Sequence, residues 1–128
     1  MIADTTFFID LAHGDKNAVK KFEELHSKGE PIVVSAVTVY ELWQGKHGLN
    51  RNEDLFLSKF EKDAFVVPIE SEAAAEAGRI KSDLRKRGFE LNPPDALIAG
   101  LCIIGNDVIL TRNVKDFSRI EGLRIEAY

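Results

Sequence analysis

Short apolar runs alternate with helix-spaced stripes along the whole chain. Met1-Ile2-Ala3 reads as a strand, and the polar Asp4-Thr5-Thr6 behind it suits the start of a helical turn from Phe7 to Ala12, closed at Gly14. Asp15 is the expected N-cap of a second helix, where Ala18, Val19, Phe22 and Leu25 recur at helical spacing until Gly29 stops it. Pro31 to Ser35 is a β-branched run, short enough for a fully buried strand. Beyond it Ala36, Val39, Tyr40 and Trp43 fall at i, i+3, i+4 and i+7, one helix face, which assigns Tyr40 and Trp43 to the core. A helix over Asn52 to Lys62 carries Leu55, Phe56 and Phe60, and Ala64 to Val67 makes a third strand ended by Pro68. Ser71 is the expected cap of a long helix with Ala73, Ala77, Ile80 and Leu84 on one stripe and Gly88 as its stop. Asn92-Pro93-Pro94-Asp95 announces the next helix, since proline suits a first turn. From Ala96 to Ile104 that helix is apolar nearly all round and belongs at the centre. Val108 to Thr111 is the fourth strand, and Leu123 to Glu126 a short fifth at an edge. Strands separated by helices predict an α/β fold: a mainly parallel sheet of about five short strands between two helical layers, in one domain over residues 1–128.

Composition narrows this only a little. With 45% hydrophobic and 30% charged residues in 128, the chain is ordinary globular material, and disordered, collagenous and coiled-coil readings fall. A lone cysteine, Cys102, excludes an internal disulfide framework and fits a reducing cytoplasm; on the buried helix it reads as an inert core residue. Asp4 and Asp10 interrupt the apolar start a signal peptide would need, and Ala96 to Gly105 is about half the roughly 20 residues of a membrane span. The net charge of −4 supplies no general field for nucleic acid, so a nucleic-acid enzyme here needs local cations, bound or built in.

Parallel sheets bind ligands at the carboxyl ends of their strands. Asp4 ends the first strand; Thr111, Arg112, Asn113 and Asp116 follow the fourth; Asp95 opens the helix before it; Glu41 lies in the helix after the second. Each has an unremarkable alternative, as a helix cap for Asp4, Asn113 and Asp116, a first-turn acid for Asp95, or a solvated glutamate for Glu41. Several acid chemistries fail on spacing. Thr6 stands where an aspartyl-phosphate phosphatase needs its second Asp, a receiver domain needs an acid where Pro68 and Ile69 stand, and no glycine-rich phosphate loop is present. His13, His26 and His47 show no zinc spacing, and Ser35 lacks a nucleophile elbow.

Read in order, Ile2-Ala3-Asp4-Thr5-Thr6, Val34 to Leu42, Pro94-Asp95-Ala96-Leu97-Ile98-Ala99 and Leu110 to Phe117 form a series. It resembles the PIN-domain family, most closely the VapC-type ribonuclease toxins of prokaryotic toxin–antitoxin pairs, over the whole chain. The resemblance implies metal-site and catalytic acids at Asp4, Glu41, Asp95 and Asp116, with Thr6 and Thr111 in support. Asn113 stands where many relatives carry a further acid. The implied activity is hydrolysis of an RNA phosphodiester by in-line attack of a metal-activated water, leaving a 5′-phosphate and a 3′-hydroxyl. The implied partners are an RNA substrate, a VapB-like antitoxin seated in helical grooves, to which Phe7, Phe8, Leu11 and the Leu55 to Phe60 helix are candidates, and a second copy in a homodimer.

Electrostatics argues for a cation independently. Two carboxylates about 4 Å apart repel by about 4 kcal/mol at an effective dielectric of 20, so four converging acids need a cation or raised pKa values. An all-oxygen site suits one or two Mg²⁺ or Mn²⁺ ions. Arg112 and Lys115 adjoin the site as candidate RNA contacts; Arg79, Lys81, Arg85, Lys86 and Arg87 form a second cluster that equally suits a solvated helix end. Two other readings stay open at this level: a non-catalytic module binding RNA or protein, and a nuclease of single-stranded DNA.

Overall fold

The computed structural model describes residues 1–45, 50, 54, 55, 58–60, 62 and 64–128. Its elements run β1 (Ile2–Ala3), α1 (Thr5–Ala12), α2 (Lys16–Ser27), β2 (Val34–Ser35), α3 (Ala36–Gly45), β3 (Val66–Val67), α4 (Ser71–Lys86), α5 (Pro93–Ile104), β4 (Val108–Thr111), α6 (Val114–Phe117) and β5 (Arg124–Ala127). β1, β4 and β5 pair in parallel, as do β2 and β3, and a parallel bridge from Ile2 to Val33 joins the two groups in the spatial order β3-β2-β1-β4-β5.

Strand periodicity sorts the core. Ile2 and Ile109 belong to one apolar cluster, with Ile80, Leu84, Ile98, Cys102 and Phe117 of α4, α5 and α6. Their neighbours Ala3 and Leu110 belong to the other, with Phe7, Phe8, Ala18, Leu25 and Leu42 of α1, α2 and α3. Alternate residues of the central strands thus face opposite helical layers, which is the α/β/α sandwich the pattern predicts. The seam between α4 and α5 depends on size. A Cβ added to Gly100 would stand 2.5 Å from the Ala73 carbonyl oxygen and 2.8 Å from the Ala77 nitrogen, so only glycine admits this approach.

The structure corrects the sequence in several places. α3 is turned over: Tyr40 and Trp43 are 60% and 49% exposed, and Val37, Thr38 and Leu42 are buried instead. The inward stripe Val37, Thr38, Glu41, Leu42 mixes polar with apolar groups, so hydrophobicity alone picks the wrong face. α4 is capped by Glu70, with no side-chain capping bond, and Ser71 is its first residue. β2 and β3 keep only the last two residues of their apolar runs, and β5 is displaced by one residue toward Ala127. The helix expected over Asn52 to Lys62 lies partly outside the described residues; Asp54, Leu55, Ser58, Lys59, Phe60 and Lys62, which are described, are helical.

Candidate active site

The chain passes from β1 outward to β2 and β3, then returns to the opposite side of β1 for β4 and β5. The switch point therefore falls between β1 and β4, and their carboxyl ends are Ala3 and Thr111. Asp4 follows directly, its amide bonded to the Leu110 carbonyl at 3.0 Å, and it is only 3% exposed. As N-cap of α1 it accepts the Thr6 amide on Oδ1 at 2.5 Å. Its Oδ2 accepts the Thr111 hydroxyl, also at 2.5 Å, across the switch point. Thr111 in turn accepts the Asn113 amide at 3.0 Å. The capping role and the site role of Asp4 are one arrangement.

Glu41 reaches the same pole from α3. The Thr5 hydroxyl donates to its Oε2 at 2.5 Å. Thr5 has one hydroxyl proton, which this short contact takes; its oxygen lies 3.5 Å from that of Thr38, and Thr38 is 3.0 Å from the Ser35 hydroxyl. A buried row of hydroxyls therefore runs from the end of β2 to the carboxylate. Asp95 is fixed by a reciprocal cap: its amide donates to Asn92 Oδ1 at 2.8 Å, and Asn92 Nδ2 donates to Asp95 Oδ2 at 2.9 Å. Burial, then the charges of Asp4 and Glu41 and more weakly that of Asp116, push the Asp95 carboxyl up to about 6, against the Asn92 hydrogen bond. Asp116 of α6 accepts Arg119 Nη1 at 3.2 Å, and the Arg119 guanidinium lies 4.2 Å from the centre of the Phe89 ring.

Asp4, Glu41 and Asp116, the other three acids expected from the sequence, are thus within electrostatic reach of Asp95. Among the described residues no three His, Cys, Asp or Glu are packed as tightly as a closed metal-ligand set. Each carboxylate accepts a hydroxyl, amide or guanidinium hydrogen bond, and two of these cross between elements, from Thr111 of β4 to Asp4 and from Thr5 of α1 to Glu41.

The supporting residues differ in part from expectation. The Thr111 hydroxyl donates to Asp4, Thr6 reaches Asp4 through its backbone amide, and the threonine hydroxyl on Glu41 is that of Thr5. Asn113 is the N-cap of α6 but makes no side-chain capping bond. Arg112 is exposed and ion-paired with Asp10 at 2.9 Å; Lys115 is exposed on α6. In the second basic cluster, Arg79 pairs with Glu76, Arg87 with Asp83 and Arg85 with Glu90, while Lys81 donates to the Leu91 carbonyl. Those partners make it a solvated helix face. Cys102 is fully buried, its thiol pushed up to about 12 by burial. Sequence reasoning missed Thr5, Thr38, Asn92 and Asp10; of these only Asn92, three residues before Asp95, carried a visible signal, that of a capping pair.

The sequence profile of the PIN domain matches residues 1–123. The chain belongs to the PIN-domain family. This PIN domain is 32% identical over 101 residues to the tRNA(fMet)-specific endonuclease VapC of Salmonella typhimurium, a match covering 74% of each chain. Its fold matches a chain of DNA-bound VapBC from Salmonella typhimurium, with a TM-score of 0.78, 26% identity and coverage of 98% of this chain and 96% of that one. It also matches a chain of VapBC2 from Rickettsia felis bound to a promoter fragment, with a TM-score of 0.85, 22% identity and coverage of 99% and 97%. Away from the acids, the PIN domain carries an open apolar groove of about 510 Å³, lined by Phe8, Leu11, Phe22, Ile32, Phe60 and Phe65 among others. Phe8 itself is core, at 3% exposure, and Phe7 is fully buried.

Proposed function

We propose that this PIN domain is a metal-dependent endoribonuclease, the toxin of a VapBC-type pair. The carrying observation is the convergence on Asp95 of charge from Asp4, Glu41 and Asp116, acids of three other elements, which adds to burial in pushing its carboxyl up to about 6. Such a pole is electrostatically incomplete, and its donor set is all carboxylate oxygen, which fits hard divalent ions such as Mg²⁺ or Mn²⁺. Asp4, Glu41 and Asp95 would hold or orient a first ion, and Asp116 would complete the site directly or through water. When bound, one or two such ions supply Lewis acidity toward the attacking water and the leaving oxygen.

The chain's own residues do the positioning. Thr111 and the Thr6 amide aim Asp4, Thr5 aims Glu41, and Asn92 aims Asp95. Arg112 and Lys115 flank the acids and supply phosphate contacts that the net charge of −4 otherwise denies. RNA is favoured over single-stranded DNA because the Salmonella relative is named as a tRNA endonuclease. The VapBC neighbour at 26% identity supports a VapB-type antitoxin as partner, and the groove of Phe8, Leu11, Phe22 and Phe60 offers it an apolar seat. A second copy of the chain is the other partner in this reading, and solution mass measures it directly.

The test is cleavage of a mixed pool of structured cellular RNAs in Mn²⁺, Mg²⁺ or EDTA, comparing the wild type with Asp4→Asn. Discrete products that require both a divalent ion and Asp4 are expected, with a loss in Asp4→Asn beyond about a hundredfold, the upper range for an outer-shell group. Undiminished cleavage by a clean Asp4→Asn preparation overturns the assignment. A folded protein that neither binds Mn²⁺ nor cuts any RNA would instead be a non-catalytic binding module.

A further inference from the structure

Asp10 stands outside the acid pole yet is nearly as buried as Asp4, at 6% exposure. A buried carboxylate needs partners, and Oδ2 of Asp10 has two: Arg112 Nη1 and the Tyr128 hydroxyl, each at 2.9 Å. Tyr128 sets its ring edge-on to Phe7, with 4.9 Å between ring centres. Burial and the neighbouring Asp10 raise the tyrosine pKa above its ordinary value, so the hydroxyl stays a donor.

The ion pair is lopsided. The Asp10 side chain is 9% exposed and that of Arg112 57%. Arg112 turns Nη1 inward, and a guanidinium carries five donors, so most of its capacity remains at the surface. Its place in the chain matters equally. Arg112 follows Thr111, whose hydroxyl holds Asp4, so the loop after β4 is tied to α1 twice, at Asp4 and at Asp10. A pole of four carboxylates repels a phosphodiester, and a fixed cation beside it decides where the backbone can lie. Arg119, beyond α6, is already committed to Asp116 and to the Phe89 ring.

We infer that Asp10, supported by Tyr128, is a positioning residue that anchors Arg112 so that its outer donors grip an RNA phosphate adjacent to the one being cleaved. The inference rests on the ribonuclease reading above. Asp10 touches no substrate; it acts through the arginine. A plain structural tie between α1 and Tyr128 would need no exposed cation on the same carboxylate oxygen.

The experiment is steady-state cleavage, with Mn²⁺, of a synthetic copy of an RNA that the wild type cuts, using Asp10→Asn, Arg112→Ala and the double variant. Asparagine keeps the volume and can still accept from Tyr128 but loses the charge. Asp10→Asn is expected to raise KM about tenfold, the worth of one charge-assisted hydrogen bond, with kcat changed less than about twofold. Arg112→Ala is expected to raise KM at least as far and to lower the salt slope of RNA binding by about 1. The double variant should be no worse than Arg112→Ala. Unchanged KM in Asp10→Asn, or losses that multiply in the double variant, overturn the proposal. Should Asp10→Asn fail to fold, Arg112→Lys carries the test, because lysine keeps the charge without the fork; a wild-type KM there overturns it as well. A wild type that neither cuts the RNA pool in Mn²⁺ nor retains it on a filter in EDTA sinks the ribonuclease reading and this proposal together. Wild-type cleavage with an unaffected Asp10→Asn sinks the proposal alone.

Discussion

The acid pole and the apolar groove are both surfaces that the isolated chain leaves unfinished, in opposite senses. At the pole, the charges of Asp4, Glu41 and Asp116 bear on the part-buried Asp95, and burial together with them raises its pKa. Along the edge at β3, Phe65 is 73% and Val66 41% exposed, beside Phe22 at 44%, so here the cost is apolar area left in water. The pole is built with care: nearly every acid has a dedicated hydroxyl, amide or guanidinium. The groove has no polar scaffolding of comparable order; its lining is a continuation of the core cluster of Phe7, Phe8 and Leu42. Charge must be aimed to be useful, whereas apolar surface only needs to be available.

Breaking that contrast should give effects of very different size. Thr111→Val removes the hydroxyl that holds Asp4 without changing volume much; metal-dependent cleavage should fall about 10–100-fold, the range for an outer-shell group, with circular dichroism unaltered. Undiminished cleavage would mean that Asp4 needs no aiming. Gly100→Ala touches neither surface but forces apart α4 and α5, and chemical denaturation should show a loss of about 1–3 kcal/mol with cleavage by the remaining folded protein intact.

The pH dependence sharpens the pole further. The Asp95 carboxyl titrates near 6 when folded, above its ordinary value of 3.8. A raised carboxyl favours the fold while protonated, so its contribution is complete below about 4 and is lost as pH rises through about 6. Above that pH the charged pole is where a divalent ion gains most. The rise in Tm on adding Mn²⁺ should therefore be larger at pH 7.5 than at pH 5, and an equal rise at both would separate Asp95 from ion binding. The smallest effect belongs to the groove: Phe65→Ser should shift stability by no more than about 0.5 kcal/mol and leave RNA cleavage unchanged, while lowering retention on a phenyl resin.

Much of this was legible in the sequence, for physical reasons that differ by residue. The order of strands and helices followed from short apolar runs alternating with helical stripes, and the sheet's switch point then placed Asp4, Asp95 and Asp116 near one edge. Glu41 was harder. Its own helix advertises a stripe of Ala36, Val39, Tyr40 and Trp43, and the structure buries the opposite side because Thr38 and Glu41 are required by Thr5. Periodicity measures hydrophobicity, and a functional face lined by polar groups defeats it. The exchange of Thr5 for Thr6 has a similar origin: two adjacent threonines at a helix start are indistinguishable in sequence, and only the cap geometry at Asp4 decides which one turns inward. Asp10 gave no sign, since a buried acid is recognised by partners more than a hundred residues away.

The bond between Asp4 and Thr111 spans 107 positions of the chain. Synthesis proceeds at about 5–20 residues per second and N-terminal segments emerge first, so roughly 5–20 seconds separate the making of the first acid from that of the threonine that aims it. Asp95 and Asp116 arrive late as well. A growing chain therefore carries its first acid for nearly the whole of its manufacture without the hydroxyl that aims it. On the ribonuclease reading proposed above, the order of assembly acts as a delay built into the connectivity of the sheet.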